Sequence, residues 1–481
     1  MKVAGIPNRL KAQLKRLVHY KSFVAGMVIL TFFVGLSIYA MVTWPYSEAV
    51  AKWNNPAVWL DYPKHAKPSW ITLFTGVREL EGSLIIDTRL EAKNVVKLRQ
   101  VLERFGKPFA TIERISIGFT YDYDAFPARL VYVVPVNTTD RVFVNMTWRK
   151  PSGIEIIIEK NFFTSGELIR SLEPKPGEVP EFALRYVEIV EKVYGVRVNI
   201  SNLNPTYLLF CDDEYLAKTG ALRVLKGSYQ VGVETFSSDI NSTVDLRLVI
   251  QGTIYGLAGT DFLGRDLFMA LAWGAPIAMA FGLTASLLSA LLQIAIAAIS
   301  AWFSGVVDVV VQRINEIFMV LPFLPTIVML WMFYGFDLWT LLWVIILFNT
   351  WGSGIKTSRA MFLQIKEMPY IEAAKAYGSS NFRIVMLYMI PRVIPVIIPN
   401  IVTAIPSFVF LEAALAMLGI ADPRTITWGK VLQEAYTHGA LLQGYYHWIL
   451  APSIMLFLMG IGFAMIGFTL DRVFNPRLRE I

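Results

Sequence analysis

The chain has 481 residues, of which 55% are hydrophobic and only 17% are charged, and its mean hydropathy is +0.50. A single globular core cannot bury so much apolar surface, so a purely water-soluble protein is excluded. The formal net charge is +7, and the one cysteine, Cys211, excludes an internal disulfide.

Six long apolar segments predict membrane-spanning helices, because each reaches roughly the 18 to 20 residues that cross a bilayer as a helix. The first is too long for the apolar part of a signal peptide and no A-x-A-like cleavage site follows it, so we interpret it as an uncleaved helix. Five segments carry no charged residue, and the fifth in order contains only Glu412. They lie at 23–42, 267–307, 317–336, 338–355, 393–421 and 448–470.

Positive charges orient these helices. Lys and Arg residues cluster before the first segment, and short stretches rich in Lys and Arg stay in the cytoplasm. Alternation then places the loop 356–392 and the tail 471–481 inside, and both are rich in Lys and Arg, whereas 419–447, assigned outside, has only Arg424 and Lys430. We predict a multi-pass protein of the plasma membrane with cytoplasmic N- and C-termini. The net charge then reflects orientation rather than a nucleic-acid surface.

Residues 46–257, between the first two spans, have the composition of a water-soluble domain, and alternation places them outside. Alternating or β-branched runs, separated by Pro, Gly and Asn, predict strands. Helical periodicity predicts helices at 91–105, 180–194 and 213–225. We therefore predict an extracytoplasmic α+β domain inserted between helices 1 and 2 of a six-helix membrane protein.

Four Asn-x-Ser/Thr sequons fall inside this domain, and none falls in the predicted cytoplasmic loops. This distribution is compatible with a glycosylated exterior domain, although such sequons also arise by chance in loops rich in Asn and Thr. The candidate glycosylation sites are Asn137, Asn145, Asn199 and Asn241.

The loop 356–392 contains a polar, helix-forming stretch, EAAKAYGSSNFRIVMLYMIP, set between two apolar runs. Gly378 suits the left-handed end of a first helix, and one of the three polar residues after it can cap a second helix that ends at Pro391. Because this helix–turn–helix is joined to membrane spans at both ends, a force that another protein applies to it reaches the spans. The small alanines allow close approach, and Glu372 offers a charge to a partner groove.

This stretch resembles the EAA loop of ABC importer permeases, which reads Glu-Ala-Ala, three residues, Gly, twelve residues and Pro. The matching residues are Glu372, Ala373, Ala374, Gly378 and Pro391. In that family the loop forms coupling helices that sit in a cleft of the cytoplasmic ATPase subunits. The resemblance therefore implies that ATP-driven closure of those subunits is conveyed to this chain here.

Further stretches are similar to the dipeptide and oligopeptide group of these importers, specifically to its C-type permease. They are GTDFLGRD at 259–266, LEAALAMLGI with Trp428-Gly429 downstream, and NPRL at 475–478. The resemblance covers roughly 1–45 and 258–481 and implies the type I importer permease fold, with five helices in 258–481. Tyr388, Arg392 and the long domain 46–257 depart from the family pattern.

GTDFLGRD has the G-x-x-x-x-G spacing of a phosphate-binding loop, but Arg265 and Asp266 replace the Lys and the Ser or Thr that such a loop needs. We therefore exclude nucleotide binding there. Thr260, Asp261, Gly264, Arg265 and Asp266 form a motif of unassigned role, either functional or a structured start of the second span. The four histidines have no metal-ligand spacing and no catalytic motif occurs, so we predict neither a metal site nor enzymatic activity.

Glu412 is unusual because a carboxylate inside an apolar run costs roughly 2.5–3.5 kcal/mol on insertion scales. Such a group faces protein or water, so Glu412 either lines or gates a translocation path, or forms a buried structural hydrogen bond. Pro395, Pro399 and Pro406 in the same segment free main-chain groups that need partners, which favours a kinked helix inside the bundle.

The resemblance implies a permease subunit of an ABC importer that translocates di- or oligopeptides, or oligosaccharides, delivered by a solute-binding protein. The implied partners are a B-type permease, two ABC ATPases that bind ATP and Mg, the extracytoplasmic solute-binding protein and the lipid bilayer, but no nucleic acid. The chain itself is expected to bind no cofactor. Two other classes remain: a secondary transporter, for which only Glu412 qualifies as a midmembrane carboxylate, and a membrane-anchored receptor or enzyme with an active ectodomain.

Overall fold

A computed structural model of the chain describes residues 17–90, 94–172, 179–199 and 203–474. The cations before Lys21 that contribute to the predicted orientation, and the NPRL stretch at 475–478, lie outside these residues. The chain divides into two compact units, Asn55–Phe268 and a unit formed by Met1–Asn54 with Met269–Ile481. Both divisions fall later in the chain than the predicted domain boundaries, so GTDFLGRD belongs to the inserted unit.

The described helices and strands are named here in chain order. The helices are α1 (Lys21–Thr43), α2 (Tyr46–Trp53), α3 (Thr72–Thr75), α4 (Glu181–Tyr194), α5 (Pro205–Phe210), α6 (Asp213–Thr219), α7 (Leu267–Phe303), α8 (Gly305–Val320), α9 (Phe323–Tyr334), α10 (Leu338–Thr350), α11 (Ser353–Lys366), α12 (Pro369–Ala376), α13 (Asn381–Arg383), α14 (Ile390–Met417), α15 (Trp428–Thr437) and α16 (Tyr446–Phe474). The strands are β1 (Ser83–Asp87), β2 (Val95–Arg104), β3 (Lys107–Tyr121), β4 (Arg129–Asn137), β5 (Val142–Arg149), β6 (Glu155–Phe163), β7 (Gly166–Leu172), β8 (Gly227–Ser237), β9 (Thr243–Val244) and β10 (Arg247–Gln251).

Two antiparallel five-stranded sheets build the unit Asn55–Phe268 and share one apolar core. One sheet has the order β1-β10-β4-β7, with β9 beside β4, and the other has the order β2-β3-β8-β5-β6. Along β5 every second residue is buried, as expected for a strand with one face on a core. Trp148 of β5 lies in that core with its ring centroid 5.2 Å from Phe210 and 5.8 Å from Tyr229. The unit is therefore α+β, as the sequence predicted.

The three helices expected in this unit have different outcomes. The helix predicted at 180–194 is confirmed as α4, and the one predicted at 213–225 ends at Thr219 because Gly220 adopts a left-handed conformation with φ 70°. The helix predicted at 91–105 is wrong, since β2 is a strand at the edge of its sheet, paired with β3. Apolar residues of β2 stay largely exposed, so hydrogen bonding to β3 decided the conformation rather than burial of an apolar stripe.

A fully buried ion pair joins the turn directly after strand β5 to the start of helix α6. The Lys150 ammonium contacts the Asp213 carboxylate, and both side chains have no exposed surface. The Tyr186 hydroxyl donates to Asp213 Oδ1 at 2.7 Å, and the Ser152 hydroxyl donates to Oδ2 at 2.8 Å. Burial raises the pKa of the Tyr186 phenol well above its usual range, so this hydroxyl stays protonated as a donor. The carboxylate thus has a full set of partners within the core.

We expect Asp213→Asn to destabilise the full-length protein by about 3–5 kcal/mol, because it leaves the Lys150 charge buried without its partner. The measurement is denaturant unfolding of the purified chain, followed by tryptophan fluorescence. Glu234→Gln is the matched control, since Glu234 pairs with Arg114 at 2.8 Å on the surface and we expect a change of about 1 kcal/mol or less. Equal effects of the two substitutions would contradict a stabilising role of the buried pair.

The other unit is helical and apolar. Four uninterrupted helical segments are long and apolar enough to cross a membrane: α1, α7, Asn381–Met417 and Tyr446–Val473. Two bent pairs, α8 with α9 at 83° and α10 with α11 at 48°, bring the number to six if each pair is one span. The chain is thus a polytopic helical membrane protein. The spans predicted at 317–336 and 338–355 are not straight helices, because Pro322 and Gly352 interrupt them.

Small residues let the first helix pack closely on the last. A Cβ atom built on Gly26 of α1 would lie only 2.8 Å from the carbonyl oxygen of Gly462 in α16, and one on Gly462 would lie 2.9 Å from Ile29. The Ser22 and Thr469 hydroxyl oxygens are 3.0 Å apart at the same crossing. Close approach at small residues, supported by hydroxyl hydrogen bonds, is typical of helix packing in membranes.

Candidate coupling surface

The EAA stretch forms two helical segments that meet at Gly378. This residue follows α12 with φ 73°, and the Ser379 N–H donates to the Ala374 carbonyl at 3.1 Å, which closes the helix end. The Ser380 hydroxyl then accepts from the Arg383 N–H at 3.4 Å and caps the second segment. The predicted helix end and cap are therefore confirmed at Gly378 and Ser380.

The second segment does not end at Pro391, contrary to the prediction. Helix α13 continues through a π-helical turn at Ile384–Met389 directly into α14, and Pro391 stands in the first turn of α14. Proline is tolerated there because its missing N–H falls at a change of hydrogen-bonding pattern, where the Ile390 N–H donates to the Val385 carbonyl five residues back. The polar stretch and the long apolar helix are consequently one continuous helix.

Two isoleucines pack the EAA stretch against the end of α7. Ile371 of α12 and Ile384 of the π turn have no exposed surface, and both belong to an apolar cluster with Ala297, Ala301 and Trp302 of α7. The alanines leave room for the isoleucines to approach the α7 backbone. Both halves of the stretch are thus packed on the same helix.

Lys366, at the end of α11, also forms hydrogen bonds with the end of α7. Its ammonium donates to the carbonyls of Ala301 and Trp302 at 2.9 Å each, and to the Ser304 hydroxyl at 2.7 Å. These carbonyls end α7, where main-chain acceptors lack partners within the helix and a positive charge is favourable. The Lys375 ammonium of α12 lies 4.8 Å from the Trp302 ring centroid, a cation–π distance.

An ion pair links α11 to α8. Arg359 Nε donates to Asp308 Oδ1 at 2.6 Å, and its second contact with that carboxylate makes the pair bidentate. The Ser300 hydroxyl of α7 donates to the same carboxylate at 2.5 Å. Asp308 therefore joins α7, α8 and α11 at one point.

The opposite side of the stretch is exposed. Glu372 and Ala373 are exposed, whereas Ala374 is half-buried against the apolar cluster, so the two alanines face different surroundings. Tyr377 is 91% exposed and Phe382 is 76% exposed. We name Glu372, Ala373, Tyr377 and Phe382 the coupling surface. Sequence reasoning named the first two but missed the aromatic residues, whose signal was their position on either side of Gly378 in a polar stretch.

Glu412 is buried in α14, with 7% of its surface exposed, and Thr427 is its hydrogen-bond partner. The Thr427 hydroxyl also accepts from the Lys430 N–H at 3.2 Å and so caps α15. A Cβ atom built on Gly429 would lie 2.7 Å from Ala413 Cα, so the missing side chain permits the close approach of α15 to α14. These contacts agree with the structural interpretation of Glu412, and its role in a translocation path stays a prediction.

The GTDFLGRD segment forms a hydrogen-bonded turn before α7. Arg265 Nε donates to Asp261 Oδ2 at 2.5 Å within the buried interior of its unit, and the Thr260 hydroxyl donates to a main-chain carbonyl at 2.6 Å. The Asp266 carboxylate accepts a main-chain N–H in the first turn of α7 at 2.9 Å. Gly264 has φ 86°, which favours glycine. Arg265 and Asp261 thus pair locally, and any further role of the motif stays a prediction.

The sequon asparagines differ in accessibility. Asn137, Asn199 and Asn241 are exposed, but Asn145 lies half-buried on strand β5, which has neighbours on both sides. Glycan attachment needs an accessible side-chain amide, so only the exposed three satisfy that requirement. Among the residues that the structure describes, no cluster of His, Cys, Asp and Glu side chains has a metal-binding arrangement.

Comparison with known proteins shows which class of membrane protein this chain resembles. Residues 293–480 match the family described as binding-protein-dependent transport system inner membrane component. The chain is 28% identical over 223 residues to the dipeptide transport system permease protein DppC of Bacillus subtilis, covering 46% of this chain and 69% of that protein. The match with DppC of Lactococcus lactis is 31% identical over 223 residues, covering 46% and 64%. That with the oligopeptide transport system permease protein OppC of Escherichia coli is 29% identical, covering 46% and 72%.

The matched part of the chain is therefore similar to ABC importer permeases of the dipeptide and oligopeptide type, and the resemblance that the motifs indicated is confirmed. The match includes the loop that carries the coupling surface.

We expect Ile371→Ala to weaken the packing of the loop on α7, because deleting a buried aliphatic side chain lowers stability by about 2–5 kcal/mol. The measurement is hydrogen exchange of residues 366–392 in the purified chain, where the variant should exchange faster. Tyr377→Ala is the control, since its 91% exposed side chain leaves no cavity and exchange should not change. Identical protection in Ile371→Ala and the unsubstituted chain would show that burial of Ile371 does not hold the loop.

Proposed function

We propose that this chain is the transmembrane permease subunit of an ABC importer for di- or oligopeptides. The observation that carries the proposal is the EAA stretch, which is packed on α7 by buried isoleucines while its coupling surface is exposed. The names of the similar permeases support peptides as the substrate class. A B-type permease, two ATPase subunits that bind ATP and Mg, and a solute-binding protein complete the importer.

We further propose that each bent helix pair is one span, which makes six spans with both termini in the cytoplasm. The EAA stretch then lies at the cytoplasmic side, where the Lys and Arg residues of 356–392 are abundant, in agreement with the positive-inside rule. The α+β unit then lies outside. There it either cradles the solute-binding protein or captures solute itself.

In the proposed mechanism, ATP closes the two ATPase subunits, and their movement displaces the coupling surface. The displacement passes to α14 because the π turn joins both into one helix, and to α7 through Ile371, Ile384 and Lys366. Close-packed contacts transmit such a shift rather than absorb it. By thermodynamic linkage, the state of the membrane helices must equally alter ATPase closure.

The test uses the assembled importer in proteoliposomes and measures binding of the ATPase subunits, uptake and substrate-stimulated ATP hydrolysis. Tyr377→Ala and Phe382→Ala should each weaken binding of the ATPase subunits about tenfold or more, since truncating aromatic anchors at an interface costs ~2 kcal/mol. Glu372→Ala should lower uptake in the same direction.

Phe468→Ala is the matched control, because Phe468 is an exposed aromatic residue of α16, 67% accessible and far along the chain from the loop. It should assemble and transport normally. Unchanged substrate-stimulated hydrolysis and uptake in all three coupling-surface variants would refute the coupling role.

A further inference from the structure

A cavity of about 330 Å³ lies among α7, α10, α11 and α14 of the membrane unit. None of the described residues that line it is charged, yet many are polar. The polar side chains of the lining include Ser286, Ser289, Gln293, Asn349 and Asn400. Its volume is at the lower end of the range, about 300–1,000 Å³, in which small-molecule sites fall.

Ser289 lines the cavity with a buried hydroxyl that lacks a partner among the described residues. Its side chain is 98% buried, with 2% of its surface exposed, and its hydroxyl has no hydrogen-bond partner among the described residues. Leaving a buried hydroxyl unpaired is unfavourable, so the group is suited to a partner that enters the cavity. Ser286, one turn earlier, differs because its hydroxyl already donates to the Ile401 carbonyl at 2.6 Å.

Two amide side chains show which side of the unit this cavity faces. Asn349 and Asn400 are exposed on otherwise apolar helices, and an amide without partners in hydrocarbon is costly. This side therefore faces water or protein rather than lipid. In contrast, Val28 of α1 and Phe457 of α16, each 64% exposed, present apolar surface that suits lipid.

We propose that this cavity is a substrate subsite on the transport path, where serine hydroxyls and the Gln293, Asn349 and Asn400 amides bind the main-chain amides of a peptide. The inference rests on the proposed function and extends it to the chemistry of recognition. Hydroxyl and amide groups both donate and accept, and a peptide backbone offers complementary N–H and C=O groups at every residue. Because the lining is uncharged, the subsite binds peptides without selecting the charge of their side chains.

The test introduces single cysteines at the two exposed positions of the lining, as Asn349→Cys and Asn400→Cys, into the complete importer in proteoliposomes. The native Cys211 is buried, so its background reaction is small. A membrane-impermeant methanethiosulfonate reagent should modify both introduced thiols, and trialanine should slow this reaction at least fivefold. Phe457→Cys is the control, and its lipid-facing thiol should react at least tenfold more slowly than the other two.

Transport kinetics provide a second measurement. Asn400→Leu should raise the KM for trialanine import at least fivefold, whereas Ser453→Ala should leave it unchanged, because Ser453 bonds the Ile449 carbonyl of its own helix at 2.8 Å and lies outside the cavity lining. Normal trialanine import with unreactive or unprotected thiols would overturn the subsite but leave the proposed function intact. Protection by maltotriose instead of trialanine would overturn the peptide assignment. Absence of any ATP-dependent import by the unsubstituted importer would overturn the proposed function, and the subsite with it.

Discussion

The packing of Ile371 and Ile384 against the end of α7 is the contact that holds the EAA stretch in place. A loop that only connected two helices would absorb a push from a partner protein by bending. Here both halves of the EAA stretch bury an isoleucine in one cluster with Trp302, and Lys366 adds hydrogen bonds to the last carbonyls of the same helix. Close packing makes this joint stiff, as the proposed coupling requires.

The membrane unit has two kinds of exposed side. Helices α1 and α16 present apolar side chains and pack on each other through Gly26 and Gly462, which suits a wall against lipid. The side where α7, α11 and α14 approach one another presents amides and hydroxyls instead. Because hydrocarbon penalises unpaired polar groups, this difference distinguishes a side suited to lipid from a side suited to water or protein.

Several features could be predicted because short-range chemistry decides them. Gly378 ends α12 and Ser380 caps the next segment, as left-handed and capping preferences require. The predictions failed where the same residues are compatible with two local conformations. The stretch that forms β2 satisfies helical periodicity, but pairing with β3 makes it a strand. Pro391 predicts a helix end, but the π turn before it removes the conflict.

The sequence by itself determined the membrane character, the approximate positions of the apolar helices, the α+β nature of the inserted unit and the EAA stretch. Each follows from composition, periodicity or spacing along a single segment. Only the tertiary structure decided that Ala374 faces inward while Tyr377 and Phe382 are exposed, that Glu412 meets Thr427, and that Ser289 lines an uncharged cavity. Those outcomes depend on which segments, distant in the chain, pack against each other, and no local pattern encodes that choice.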